Sequence, residues 1–357
     1  MIDLNKYPLL LLPVIIFFAV RYFLSFKSTP TPLVGKVNPI GDDFEWDKCK
    51  PKVIRPFVGR KNFNTNMAIQ NLFKTPEEWL LIENTYKDIV AKKSKLISEN
   101  IEKTISVDST PRAQLAAKEY YDTVITFMTQ RYPQYFIKKD NQIYNKLTEE
   151  YLPLNSKNKD PKELLLTLSR NMEEDVVIFV KDDPDNHDEE YVLRATITGF
   201  PAGFDPSVNH NQPISVIHGP VPQYKERLQL SMARFFNRLT PQDLWVRHNW
   251  SIQAHANHFA LENSHAYGDE KVEALKMEDM DFDNACFLRC ERQVVSRMPK
   301  SRANFMSVRT YLTPMSQIKA EGLGEELIRA IDLLPAEVAH YKRRAAWGEA
   351  VKQYLST

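Results

Sequence analysis

The chain has 357 residues, of which 43% are hydrophobic, and a formal net charge of +1. This length supplies a full hydrophobic core in one large domain or two smaller ones, and the balanced charge indicates no nucleic-acid footprint. Three cysteines are too few for a disulfide framework, and the ten glycines form no GxGxxG or P-loop motif for a nucleotide cofactor.

The N-terminal segment is apolar over residues 7–26, with a single interruption at Arg21. About 20 such residues span a bilayer core, and an arginine near the end of the span can snorkel to the interface. We therefore predict a transmembrane anchor over residues 1–27 and a single-pass protein of an internal membrane such as the endoplasmic reticulum, with its domain in the cytosol. A cleaved signal peptide is the alternative. A Pro-rich linker (28–41) and one domain (42–357) follow.

Capping signals predict the helices that come next. Thr75-Pro76-Glu77-Glu78 opens a helix towards Ile105, Thr110-Pro111 opens one that runs to about Arg131, and Asp160-Pro161 opens a shorter one. Alternating patterns and longer periodic runs then predict strands at 176–181, 191–198, 244–255, 286–295 and 305–312, a helix at 222–239, and closing helices at 315–333 and 336–355. This order of elements predicts an α+β fold, an antiparallel sheet flanked by helices.

Each of the last three predicted strands carries an arginine on a polar face, since alternate residues of a strand share a face. Arg247 is on the first strand, Arg289 shares a face with Glu291 on the second, and Arg309 shares a face with Tyr311 on the third. A solvent-facing antiparallel sheet would have the same pattern. The functional interpretation is a sheet curved around an anionic or zwitterionic ligand, which arginines hold through bidentate hydrogen bonds.

His218 is the leading candidate for a metal ligand. It lies in Ile217-His218-Gly219-Pro220-Val221-Pro222, where two prolines stiffen the backbone and orient the imidazole. A lone histidine is more often structural, so the segment alone does not decide between the two roles. His255 and His258 have a spacing that invites a zinc interpretation, but no partner carboxylate completes it and the segment is loop-like.

Three segments resemble the family of haem-dependent oxidative N-demethylase α-subunits. They are Pro213-Ile-Ser-Val-Ile-His-Gly-Pro-Val-Pro222, Arg247-His-Asn-Trp-Ser-Ile252, and Leu288-Arg-Cys-Glu-Arg-Gln293 continuing to Val308-Arg-Thr-Tyr311. The resemblance covers roughly Asn38 to Leu334. It implies a PAS-like fold that binds haem b and oxidises a methylated amine with dioxygen, while flavin, iron–sulfur centre and reduced nicotinamide reside in partner subunits.

The resemblance also implies roles for individual residues. His218 would be the axial iron ligand, Arg247, Arg309 and Tyr311 would bind the cofactor, and Arg289 and Glu291 would be catalytic. Two departures from the family pattern make dimethylamine a doubtful substrate. Asn209-His210-Asn211 stands where Lys-x-Gly is expected, and Ser301-Arg302-Ala303 stands where Ser-Gly-Ala is expected.

The resulting expectation is a haem-dependent monooxygenase that acts on an N-methyl amine or related small metabolite and receives electrons from a separate reductase. The residues leave two alternatives open. One is a non-enzymatic sensor of haem or a small ligand, and the other is a membrane-anchored interaction protein without a cofactor.

Overall fold

A large antiparallel sheet flanked by helices organises residues 33–63 and 67–357, the part of the chain that the computed structural model describes. Across the sheet the strands are β1 (Gln70–Asn71), β8 (Trp245–Gln253), β9 (Phe287–Arg297), β10 (Asn304–Pro314), β6 (Asp175–Val180), β7 (Val192–Ile197) and β2 (Ile105–Val107). A smaller sheet, which the sequence did not predict, consists of β3 (Phe136–Lys139), β4 (Gln142–Asn145) and β5 (Glu150–Pro153). The predicted combination of helices with an antiparallel sheet is confirmed.

The predicted helices occur in the predicted order but with additional breaks, and two short helices, Pro206–Asn209 and Ile214–His218, were not predicted. The helices are α1 (Tyr86–Glu99), α2 (Ile101–Thr104), α3 (Pro111–Arg131), α4 (Pro161–Ser169), α5 (Pro206–Asn209), α6 (Ile214–His218), α7 (Gln229–Arg238), α8 (Met315–Ala320), α9 (Gly324–Asp332), α10 (Ala336–Tyr341) and α11 (Arg344–Ser356). The helices that begin at Pro111 and Pro161 are confirmed. Each closing helix is divided in two, at Gly322 with φ +72° and at Arg343 with φ +55°, because a left-handed residue ends a helix.

The helix predicted to open at Pro76 is wrong for its first ten residues. Only a short 3-10 turn forms there, and α1 begins at Tyr86. The reason is tertiary, because arginines of the sheet take the carbonyl oxygens that a helix would use. Arg292 donates to the carbonyls of Glu78 and Trp79, and Arg309 donates to that of Leu81. This segment is therefore held extended against the sheet.

The main hydrophobic core lies between one face of the sheet and helices α3 and α4. Trp79, Tyr120, Phe127 and Phe305 form its aromatic centre, with ring centroids between 5.1 and 6.2 Å apart. Trp79 also donates from its indole nitrogen to the hydroxyl of Ser307 at 3.0 Å. This face of the sheet is consequently closed to ligands.

The predicted membrane anchor requires a correction. Among residues 33–63 and 67–357, no helix is both long enough and apolar enough to cross a bilayer. The segment 7–26, on which the prediction depended, lies outside the described residues. The expectation of a single-pass membrane protein is therefore not supported.

Candidate functional site

The strand register separates the arginines that the sequence suggested would act together. Residues directly opposite each other in an antiparallel pair share a face of the sheet. Arg309 pairs with Arg292, which pairs with His248, whereas Arg247 pairs with Gln293. Arg309 and its neighbour two residues on, Tyr311, therefore lie on the face opposite to Arg247, Arg289 and Glu291. The prediction of a single arginine-bearing face is wrong for Arg309 and Tyr311.

We call the face that carries Arg247 the open face, because its central residues are partly accessible to solvent. These residues are Arg247, Asn249, Ser251, Glu291, Val308 and Thr310. On the opposite face, nearly every residue of the same strands is buried. A central sheet face that stays accessible beneath covering segments is a suitable place for a ligand.

The two ends of the open face are covered by different segments. At the Trp245 end, α6 and α7 contribute a hydrophobic cluster that includes Ile214, Met232 and Phe236. At the Arg289 end, the carbonyl of Phe200 accepts a 2.6 Å hydrogen bond from the Arg289 guanidinium. The accessible stretch lies between these coverings.

Glu291 occupies the middle of the open face and is held by three neighbours. Its carboxylate accepts hydrogen bonds from Arg289 at 3.3 Å, from Gln293 at 3.1 Å and from Asn249 at 3.4 Å. Arg289 itself is 2% exposed and is further fixed by Gln253 at 3.1 Å. Arg289 therefore orients the carboxylate, and Glu291 is the more accessible charge of the pair.

His218 ends α6 with an imidazole whose two nitrogens have different surroundings. Nδ1 lies 3.0 Å from the carbonyl oxygen of Ile214, four residues earlier, and the ring stacks on Tyr224 with centroids 5.3 Å apart. Burial lowers the pKa of His218, the Ile214 hydrogen bond opposes this effect, and the Arg247 guanidinium lowers the pKa further. The imidazole is thus neutral near pH 7. With Nδ1–H donating to Ile214, Nε2 carries the free lone pair, as metal ligation requires.

Arg247 is a partly buried cation that has no anionic partner in the described part of the chain. Its Nε is buried without a hydrogen-bond partner, and among the described residues no carboxylate forms an ion pair with it. Burial lowers the pKa of Arg247, and the charge of Glu291 opposes that effect only in part. An unpartnered guanidinium beside a metal-competent imidazole fits a ligand that combines an iron centre with carboxylates, as haem does.

Sequence reasoning missed Lys342, which follows α10 and approaches the open face from the C-terminal helices. Its ammonium donates to the carbonyl of Trp250 at 2.6 Å. Burial lowers the pKa of Lys342 to about 8, and the charge of Glu291 opposes this shift. No sequence signal identified this residue, because a lysine in a polar helical run has no distinctive pattern.

His258 and His265, in the loop after β8, pack against aromatic rings. His258 lies 5.3 Å from the ring of Phe200, and His265 stacks on Tyr341 at 4.2 Å. Within the two described ranges, no group of three or more His, Cys, Asp or Glu side chains is arranged to hold a metal ion. The geometry therefore gives His258 and His265 packing roles, whereas the buried Nδ1 of His255 has no hydrogen-bond partner.

Arg309 is the centre of a buried network of carboxylates on the side of the sheet opposite to the open face. Its guanidinium contacts Glu83 at 2.7 Å, Glu173 at 2.6 Å and Glu174 at 3.2 Å. The Tyr311 hydroxyl donates to Glu83 at 3.2 Å. Burial by itself lowers the pKa of Arg309, but the carboxylates, led by Glu173, raise it above its ordinary value. The network ties the extended segment before α1 to β6 and β10.

The network predicts an unusual pH dependence of stability. Burial raises the pKa of Glu173 to about 7, the Arg309 charge opposes this, and the Glu174 and Glu83 charges add to it. Because the folded state holds this proton between the ordinary carboxyl pKa and about 7, the free energy of unfolding should fall as the pH rises through that window, by on the order of 3 kcal/mol. Denaturant unfolding of wild type and Glu173→Gln at pH 5, 6, 7 and 8 measures the effect. Parallel profiles for the two proteins would contradict it.

The two departures from the family pattern both occur at left-handed backbone positions. Asn211, where a glycine was expected, has φ +62°, and Arg302, likewise at a glycine position, has φ +59°. Asparagine adopts this conformation readily, and Arg302 is fixed by a 2.6 Å contact with Asp185. Both residues therefore adopt a left-handed backbone conformation that glycine also adopts, and Arg302 places a charge at the surface.

The fold and the site together define a mixed α/β protein with a neutral, anchored histidine beside an unpaired arginine at an accessible sheet face. Residues 68–352 match the family described as haem-dependent oxidative N-demethylase, alpha subunit-like. The match spans well over half of the chain, and the chain belongs to this family. None of the curated proteins matches it.

Proposed function

We propose that the chain is a haem-dependent oxidoreductase that removes a methyl group oxidatively from an N-methyl amine or a related small metabolite. The observation that carries the proposal is the pairing of His218, anchored through Nδ1, with the unpartnered guanidinium of Arg247. Family membership supplies the cofactor class. We propose haem b as the cofactor and dioxygen as the co-substrate.

His218 and Arg247 would hold the cofactor. The Nε2 lone pair of His218 would bind the iron, and the hydrogen bond from Nδ1 to Ile214 would fix the ring and raise its basicity. Arg247 would pair with a propionate, which would satisfy its buried Nε. When bound, haem supplies the iron at which dioxygen is reduced.

Glu291 would bind the amine. The Glu291 carboxylate forms an ion pair with Arg289 at 3.3 Å and accepts its other hydrogen bonds from the neutral amides of Asn249 and Gln293. Because it remains partly accessible, it can also pair with a substrate ammonium. Arg289 and Gln293 would keep the carboxylate in place so that the N-methyl carbon is oriented toward the cofactor. Lys342, with its pKa lowered to about 8 by burial, is a nearby group able to exchange a proton near neutral pH.

The overall reaction balances with one external reductant. One methyl C–H bond becomes C–OH with one oxygen atom, while the other oxygen atom takes two electrons and two protons to give water. The carbinolamine then loses its C–N bond, releasing formaldehyde and the demethylated amine. Because no nucleotide-binding motif occurs in the sequence, we assign the two electrons to a separate reductase.

The accessible sheet face with its helical covering would serve as the PAS-like pocket implied by the family resemblance. The domain that extends over residues 42–357 would form the catalytic unit. Val34 and Val37, which precede it, are buried in the main core. A shorter fragment for experiments should therefore begin no later than residue 33.

The function is tested by the absorption spectrum and by product formation. We expect the purified protein, reconstituted with haem, to show a Soret band. When dioxygen and a reductant are added, either an enzyme or a chemical other than dithionite, we expect it to release formaldehyde from secondary or tertiary N-methyl amines. A protein with a Soret band but no formaldehyde from any N-methyl amine would instead support the sensor function. Absence of a saturable Soret band on haem titration would refute the proposal.

Replacing Arg247 by methionine is expected to separate stability from cofactor binding. Methionine removes an unpartnered buried cation, so the melting temperature of the haem-free protein should not fall. Haem affinity should fall about 10-fold through loss of a charge-assisted hydrogen bond. Thermal melts and haem titrations measure the two quantities, with Arg227→Met, an exposed arginine before α7, as the matched control. A large drop in haem-free stability with unchanged haem affinity would show that Arg247 is structural.

A further inference from the structure

A cavity lies outside the group of residues proposed to hold haem. It has a volume of about 410 Å³ and is formed by α7, the turn that follows it, and the first residue of β8. His218 and Glu291 are not among its lining residues. Its volume falls within the range of about 300–1,000 Å³ that is typical of small-molecule sites.

Two arginines line this cavity. Arg234 and Arg238 are four residues apart, so their side chains lie on the same side of α7. Both are exposed, and neither guanidinium forms an ion pair or a hydrogen bond with any of the described residues. Asp243 also lines the cavity, but its carboxylate accepts hydrogen bonds from the backbone nitrogen and hydroxyl of Thr240 at 2.7 and 2.9 Å. The cavity therefore has two available cations, while its one carboxylate is engaged in a turn.

The remaining wall is aromatic and apolar. Phe235 and Trp245 meet edge to face, with centroids 6.1 Å apart and an interplanar angle of 76°. Leu239 is buried behind them, whereas both rings are partly accessible. An accessible pair of rings offers contact area to a flat apolar group.

We propose that this cavity binds a planar aromatic molecule that carries one anionic group. The ring system would lie against Phe235 and Trp245, and the anion, whether carboxylate, sulfonate or phosphate ester, would be held by Arg234 and Arg238. Guanidinium groups bind such anions through paired, charge-assisted hydrogen bonds. Because Trp245 precedes Arg247 by two residues on the same strand face, the occupant would adjoin the open face without sharing its ligands.

Isothermal titration calorimetry with naphthalene-2-sulfonate tests the proposal, and 2-naphthol serves as the uncharged probe of matched shape. We expect saturable 1:1 binding of the sulfonate, weaker binding of the naphthol, and a sulfonate affinity that declines with added salt. The same measurement on His218→Ala should give an unchanged affinity, because the cavity does not depend on the proposed haem ligand.

Variants of the two arginines test whether they hold the sulfonate group. The double variant Arg234→Gln/Arg238→Gln should weaken sulfonate binding at least about 10-fold, while the control Lys225→Gln/Arg227→Gln removes two exposed cations of the preceding turn and should leave it unchanged. All four side chains are exposed, so folding should be retained. Equal loss in both double variants, equal affinity for sulfonate and naphthol, or no saturable binding would overturn the proposal.

Discussion

Replacement of His218 by alanine is expected to abolish haem binding in a protein that remains folded. Changes in the groups that merely orient a metal ligand typically weaken metal affinity 10–100-fold, so removal of the ligand itself should cost at least about 100-fold. The side chain is partly exposed, and its hydrogen bond to Ile214, at 3.0 Å, lies within the same helical turn, so the loss of stability should be small. Haem titration followed by the Soret band measures the affinity, and formaldehyde release should fall in parallel.

Two controls distinguish ligation from a packing role. His187→Ala removes an exposed histidine of the loop between β6 and β7 and should leave the Soret band unchanged. Free imidazole added to His218→Ala should restore part of the band if the lost group was an iron ligand. Wild-type haem affinity in His218→Ala would exclude this histidine as the ligand and would shift attention to the loop histidines.

Replacement of Arg309 by alanine is expected to destabilise the fold more than replacement of Arg247 or of any surface arginine. Glu83, Glu173 and Glu174 would lose their shared cation while remaining buried. Breaking a buried ion pair by removing one partner costs about 3–5 kcal/mol, and three carboxylates depend on this one guanidinium. We expect a folding defect or a strongly lowered denaturation midpoint.

The matched control for Arg309 is a surface ion pair. Arg170 lies 3.4 Å from Glu150, and both side chains are about a third exposed or more, so Arg170→Ala should change the free energy of unfolding by less than about 1 kcal/mol. Arg309→Lys keeps the charge but not the several contacts, and should be intermediate. If Arg309→Ala were as stable as wild type but failed to bind haem, the cofactor-binding role that the family resemblance implies for Arg309 would regain support.

Most of the local structure followed from local sequence signals. Proline at the first helical position located α3 and α4, and strict alternation located the long strands β8, β9 and β10. The small sheet of β3, β4 and β5 escaped detection because its four-residue strands are too short for a periodic pattern.

Only some residues of the candidate site could be predicted from the sequence. The motif around His218 singled out the proposed ligand, and the alternation in β9 correctly placed Arg289 and Glu291 on one face. Lys342 could not be found in this way, because it reaches the open face through the packing of the C-terminal helices onto the edge of β8.

By itself, the sequence determined the family, the order of the longer helices and strands, and which residues within each long strand share a face, because these follow from motifs and from the two-residue period of a strand. Only the tertiary structure decided which faces of different strands coincide. That depends on register, and a shift of one residue reverses every side chain. Register placed Arg309 in a buried carboxylate network and left Arg247 unpaired beside His218. Two arginines with the same local pattern thus acquired opposite roles.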